Sequence, residues 1–378
     1  METMNISKYI IFSMIIGLLA FTSCTESYKP GKNITVVEER IPDVPEVEAL
    51  LRFINNSGDY INSSKFPSLV TADDVFENLN RYYVIDIRSE EAYKAGHING
   101  ATNIQTHELM VYLEENVAPS IYHKLVVVCS NGQASAYVTT VLRMVGYSNI
   151  YSLSYGMSSW NKSLDKWSPN LSSKYTNRLE TKTNLTEGMH AYPVINTGEH
   201  CGAEIMESRA LTLLNTPFQK LKISADRVFK NPEDFYIINY WPKERYDVGH
   251  IPGAYQYTPR QDINIKTLLN TIPPDKKILV YGYTGQSSSA IAAYLRILGY
   301  NVFTMPFGAN SFMYNTLKLR NWHAFIGADK LNDYPLVKGE NPTDKAFEKD
   351  INSTTQKKVI AERKVVKRQK KEVEGGCS

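Results

Sequence analysis

A register of 153 residues runs through the chain and fixes most of what it can fold into. Tyr83-Val-Ile-Asp-Ile-Arg88 returns as Tyr236-Ile-Ile-Asn-Tyr-Trp241, and Gly96-His-Ile-Asn-Gly-Ala101 returns as Gly249-His-Ile-Pro-Gly-Ala254. The same offset carries Cys129-Ser-Asn-Gly-Gln-Ala-Ser135 onto Gly282-Tyr-Thr-Gly-Gln-Ser-Ser288, Leu142-Arg143 onto Leu295-Arg296, and Gly146-Tyr147 onto Gly299-Tyr300. Glycines kept in step over such a span mark a duplicated domain rather than chance. A length of 378 residues accommodates two such units with ends to spare.

Each copy alternates short apolar, β-branched runs (83–87, 125–128, 236–238, 278–281) with stretches such as 134–145 and 287–298. In the latter, apolar residues recur every three or four positions. Alternating strand and helix predicts α/β domains, each a mostly parallel sheet flanked by helices. In such sheets ligands gather beyond the carboxyl ends of the strands, which is where Cys129 falls.

The N-terminus has its own grammar. Lys8 precedes a short apolar run, Tyr9 to Phe21, then Thr22-Ser23 and Cys24. The run is too short to span a bilayer and reads as a signal-peptide core. A cysteine directly after the small-residue position resembles a bacterial lipobox, with Phe21 a departure from its usual leucine. The expected organisation is a leader over 1–24 with Cys24 as lipidation site, a spacer over 25–44, a first domain over 45–170, a linker over 171–204, a second domain over 205–335 and a basic tail over 336–378. The expected location is extracytoplasmic and lipid-anchored to a bacterial membrane, on the periplasmic side or the cell surface. The alternative is ordinary secretion, with Cys24 removed or free.

The four cysteines, Cys24, Cys129, Cys201 and Cys377, contain no CxxC pair, so no zinc framework is expected. Cys129 stands out. A strand, a cysteine, a short glycine-containing loop and a helix together make a backbone nest. The amides of Ser130, Asn131, Gly132, Gln133, Ala134 and Ser135 can curl around the sulfur, and the helix dipole favours negative charge there. Gly132 permits the tight bend. The competing reading is an inert core thiol.

The Asp86-Ile-Arg88 strand end, the Gly-His-Ile-x-Gly-Ala turn and the Cys-x-x-Gly loop, in this order, resemble the rhodanese-homology family over about 45–170 and again about 205–335. The resemblance implies two tandem rhodanese-like domains and a sulfurtransferase without metal or organic cofactor. In that chemistry Cys129 takes a sulfane sulfur from a small donor such as thiosulfate or a persulfide, holds it as a persulfide, and passes it to a thiol or cyanide-like acceptor. Residues 130–135 become the anion cradle, and Asp86 with Arg88 supports the strand end. His97 and His250, present in both copies, read as structural members of the turn.

Departures from the family pattern are as informative as the matches. Ala134 stands where active members often carry an arginine, so no loop cation grips an anionic donor. Ser135 stands where related phosphatases close their loop with arginine, which argues against phosphatase chemistry. In the second copy Gly282 replaces the cysteine, Asn239 replaces Asp86 and Trp241 replaces Arg88, so that copy is expected to be silent, with a packing role. Two other functions stay open: a non-catalytic binding or scaffold lipoprotein, and a thiol redox role pairing Cys129 with Cys201 as resolving cysteine. Cys377 and the basic run 357–371 read as parts of a solvated extension. A net charge of only +3 gives no basis for a nucleic-acid partner.

Overall fold

The computed structural model describes residues 44–186 and 188–340, together with the antiparallel pairing of Ser23–Cys24 with Glu38–Glu39. The side chain of Cys24, Cys377 and the basic run lie outside the described residues. The first copy holds a five-stranded sheet made of β1 (Leu69–Val70), β2 (Tyr82–Asp86), β3 (Thr102–Asn103), β4 (Lys124–Val128) and β5 (Ile150–Leu153), in the order β1-β5-β4-β2-β3. The second holds β6 (Tyr236–Asn239), β7 (Tyr255–Gln256), β8 (Ile278–Tyr281) and β9 (Val302–Thr304), in the order β9-β8-β6-β7. Every pairing in both sheets is parallel. Central β4 is a run of Leu125 and three valines, fully buried, as a strand covered on both faces requires.

Four helices join the copies: α1 (Glu46–Asn56), α2 (Gln133–Met144), α3 (Gly202–Leu214) and α4 (Gln286–Ile297). Helices α2 and α4 follow the cysteine loop and its counterpart, and they pack against each other. This explains a feature their sequences share. Nearly every α2 residue is buried, polar Thr139, Thr140 and Arg143 included, because one side faces its own sheet and the other faces α4. One apolar cluster, with Val141 and Leu142 from the first copy and Ile291 and Leu295 from the second, runs through both. The halves therefore share a core.

Two segments depart from the simple linker-and-tail expectation. Backbone hydrogen bonds in both directions pair Glu180 with His250 (3.0 and 2.9 Å), and the Glu180 carboxylate accepts from Gly253 N at 2.7 Å, so the linker is fastened to the second copy. The residues on either side of the expected boundary between second domain and tail, 334–337, return to the first copy. Val337 pairs with His97, Trp160 Nε1 donates to Pro335 O at 2.9 Å, and Tyr334 stacks on Phe76 at 4.1 Å. Aromatic packing of Tyr334 on Phe76 and Trp160 and the ion pairs Lys162–Asp333 (2.8 Å) and Lys94–Glu340 (2.9 Å) together set the course of this stretch.

Candidate functional site

The sulfur of Cys129 sits just past the end of β4, and the residue is 5% exposed. Gly132 N and Ser135 N donate to it at 3.2 and 3.3 Å, and Ser135 Oγ lies 3.3 Å away. The loop aims amides at the sulfur because its carbonyls are held elsewhere. Cys129 O accepts from Met157 N (2.8 Å), Ser130 O from Ser158 N and Oγ (3.2 and 2.9 Å), and Asn131 O from Trp167 Nε1 (3.2 Å). Asn131 Oδ1 takes the Gln133 amide at 3.3 Å, so that amide serves the turn and not the sulfur. The cradle is thus narrower than the whole of 130–135. It consists of two amides and one hydroxyl, all at the start of a twelve-residue helix whose dipole favours an anion.

Two glycines make this geometry possible. Gly132 has φ +84°, and a Cβ there would lie 2.5 Å from Gln286 Oε1 and 2.7 Å from Tyr155 N. Gly156, in the turn after β5, has φ +60°, and a Cβ would lie 2.2 Å from Cys129 O. Sequence reading found the first and missed the second, whose signal was the Gly156–Gly308 match at an offset one residue shorter than the rest.

Asp86 and Arg88 form a buried pair: Arg88 Nε meets both carboxylate oxygens at 3.0 Å, Nη2 meets Oδ2 at 2.6 Å, and Nη2 also donates to Gly96 O at 2.8 Å. The pair pins the strand end to the Gly96 turn and holds no position on the sulfur. His97 Nδ1 lies 2.9 Å from Tyr93 O and its ring stacks on Tyr93 at 3.7 Å. His250 repeats this arrangement with Tyr246, at 2.8 and 3.5 Å. Both histidines serve the turn.

The second copy covers the loop of the first. Gln286 Oε1 accepts from Tyr155 N at 2.8 Å, and Gln133 Nε2 donates to Thr284 O at 3.4 Å. Tyr155, Trp167, Phe307 and Phe325 pack into an aromatic wall, with Trp167 stacked on Phe325 at 5.0 Å. Half-buried Lys222, from the second copy, stands within electrostatic range of Cys129. Burial pushes its ammonium below the ordinary lysine value, and the Cys129 charge works in the opposite sense. Ala134 contributes no charge to the loop, and Lys222 lies outside the stretch that sequence reading of the loop covers.

Gly282 keeps the position of the missing cysteine. A Cβ there would meet only Ser288 N, at 4.0 Å. Trp241, in place of Arg88, stacks on Tyr283 at 4.8 Å, and Asn239 donates to Tyr281 OH at 2.6 Å. An aromatic stack has replaced the buried ion pair, an exchange that often costs little when both charges leave together. Tyr281 and Trp241 are fully buried core residues.

The structure contradicts the alternative in which Cys129 pairs with Cys201. Cys129 is free, whereas Cys201, buried at the start of α3, is disulfide-bonded and its partner is not Cys129.

A model described as the rhodanese-like domain matches residues 71–163 and 225–314, one match in each copy. Thiosulfate sulfurtransferase GlpE of Pseudomonas entomophila (strain L48) is 37% identical over 79 residues, 20% of this chain and 68% of that protein. The chain belongs to the rhodanese-like family. The same-named protein of Pseudomonas paraeruginosa (strain DSM 24068 / PA7) is 33% identical over 81 residues, 21% of this chain and 71% of that protein. Among solved structures, a rhodanese-related protein from Thermoplasma volcanium is 30% identical, with 25% of this chain and 89% of that chain covered and a TM-score of 0.22. The architecture is that of two tandem rhodanese-like domains, parallel sheets flanked by helices, of which the first keeps a cysteine and the second does not.

Proposed function

We propose that this chain is a sulfurtransferase whose working atom is Cys129 Sγ. The observation that carries the reading is the aim of Gly132 N, Ser135 N and Ser135 Oγ at that sulfur. Donors converging on one atom stabilise the negative charge that the sulfur carries when it reacts. The thiolate attacks the outer sulfur of thiosulfate. An S–S bond to Cys129 forms as the bond to the SO3 group breaks, and sulfite leaves with the electron pair. The same cradle then carries the negative charge of the persulfide. Cyanide or a thiolate attacks the outer sulfur, giving thiocyanate or a new persulfide, and the Cys129 thiolate departs. Lys222 takes the part of the loop arginine, drawing an anionic donor toward the sulfur from the opposite domain. The sulfurtransferase relatives support this class of chemistry.

The test is the mass of the Cys129-containing peptide after incubation with thiosulfate, beside thiocyanate formation with cyanide. One added sulfur atom and steady turnover are expected, both lost in Cys129→Ser. A Cys129→Ser protein as active as the parent would overturn the reading. A second reading, a binding or scaffold protein without turnover, draws on the aromatic wall, the low exposure of Cys129 and the alanine at 134. An unmodified peptide after exposure to both thiosulfate and an alkyl persulfide would favour it.

We further infer an extracytoplasmic, lipid-anchored location through Cys24. The support is the leader-like sequence over 1–24, with Cys24 directly after the small residues Thr22-Ser23. Detergent-phase partitioning of the protein expressed in a bacterial host, lost in Cys24→Ala, is the expected outcome.

A further inference from the structure

The hydroxyl that meets Cys129 is itself held by a second one. Ser135 Oγ, in the first turn of α2, lies 3.3 Å from Cys129 Sγ and 2.8 Å from Ser152 Oγ on β5. Both serines are fully buried. Among the described residues these are the two partners of Ser135 Oγ, and Ser135 Oγ is the one partner of Ser152 Oγ.

Two hydroxyls carry two hydrogens, and burial decides where they go. Ser152 has a single place for its hydrogen, on Ser135 Oγ. The Ser135 hydrogen is then left for the sulfur, which accepts it. In the opposite order, with the sulfur donating to Ser135 and Ser135 to Ser152, the Ser152 hydrogen would be buried without an acceptor. That arrangement costs about 1–3 kcal/mol. The chain therefore runs from Ser152 through Ser135 to Cys129, with the sulfur as its terminal acceptor. A hydroxyl that accepts one hydrogen bond is polarised into a better donor of the next.

The second copy repeats the pair without the sulfur. Ser288 Oγ lies 3.1 Å from Thr304 Oγ1, at the places of Ser135 and Ser152. With Gly282 in place of the cysteine, Ser288 Oγ donates instead to Gly285 O at 3.2 Å. Ser135 makes no such bond to the matching carbonyl of Gly132. The sulfur is what draws its hydrogen.

We propose that Ser152 is a positioning residue for Cys129. It holds the Ser135 hydroxyl with its hydrogen on the sulfur, and so supports the charge the sulfur carries when it reacts. The inference rests on Cys129 being the reactive sulfur, as proposed above, and not on which donor loads it. Ser152 is bonded to Ser135 and not to the sulfur, so its effect passes through Ser135.

Alkylation of Cys129 by iodoacetamide in the full chain tests this without any sulfur donor. The reagent is uncharged, and Lys222, within electrostatic range of Cys129, is the same in every variant. Ser152→Ala should slow alkylation about tenfold at fixed pH, the size of one modest hydrogen bond to a charged acceptor. Ser152→Thr and Ser152→Val share a shape and differ in the hydroxyl, so this pair decides even where lost volume loosens the fold. The threonine variant, which copies Thr304, is expected near the parental rate and the valine variant near that of Ser152→Ala. Equal rates for threonine and valine overturn the proposal, as does a parental rate in Ser152→Ala. A double-mutant cycle with Ser135→Ala then separates positioning from packing. In that background Ser152→Ala should cost nothing further, and the same slowing in both backgrounds overturns the proposal. No sulfur uptake by the parent would strike the sulfurtransferase reading alone, because alkylation is read without a donor.

Discussion

Gln133 and Gln286 stand 153 positions apart and reach into each other's loops: one donates to Thr284 O at 3.4 Å and the other accepts from Tyr155 N at 2.8 Å. The pair is the duplication seen in three dimensions: Gln133 holds the loop that carries Gly282, and Gln286 holds the Tyr155 turn that abuts the cysteine loop. The silent copy is therefore a structural part of the cysteine site.

Gln286→Ala removes the acceptor of a half-buried backbone amide without touching the sulfur. A loss of about 1–3 kcal/mol in denaturant unfolding is expected. Sulfur transfer should fall as the loop loosens, while the Cys129 peptide still gains sulfur. Unchanged stability would show that the bridge carries no load.

Asp86→Asn leaves the Arg88 guanidinium buried with its charge unanswered. Breaking one partner of such a pair costs about 3–5 kcal/mol. Urea unfolding should register this, and the double replacement Asp86→Asn with Arg88→Trp, copying the second domain, should recover part of it. Equal loss in the single and double variants would refute this account of the second copy.

Lys222→Gln should raise KM for thiosulfate about tenfold, the ~1.4 kcal/mol of one weak charge pair, and affect a neutral alkyl persulfide donor much less. The sign with pH follows from burial. A depressed ammonium value means the charge is lost at lower pH than for an ordinary lysine, so thiosulfate affinity should decline on the alkaline side earlier than lysine chemistry alone would set. Steady-state kinetics with both donors across alkaline pH, parent against variant, checks this.

Gly282→Cys should be accepted by the fold, since a Cβ there meets only Ser288 N, at 4.0 Å, and α4 presents the same kind of helix start as α2. After thiosulfate treatment, the peptide holding position 282 is expected to carry added sulfur beside the Cys129 peptide. A thiol at 282 that alkylates no faster than an exposed cysteine and takes no sulfur would show that the second nest has been lost along with its cysteine.

The primary structure alone determined the duplication, the α/β class and the placement of Cys129 at a strand end. These rest on local patterns: β-branched runs, three- and four-residue apolar spacing, and glycines where the chain must turn. The Cys-x-x-Gly spacing likewise announced a nest, since backbone amides follow wherever the chain bends. What remained for tertiary structure lies between elements far apart in sequence. Which amides reach the sulfur depends on Asn131 taking one for itself and on carbonyls captured by Ser158 and Trp167. Gln286 reaches the Tyr155 amide, and Gln133 the Thr284 carbonyl, only because the two copies pack together through α2 and α4. No local spacing encodes such meetings. They follow from the free energy of burying apolar faces, which acts on the whole chain at once.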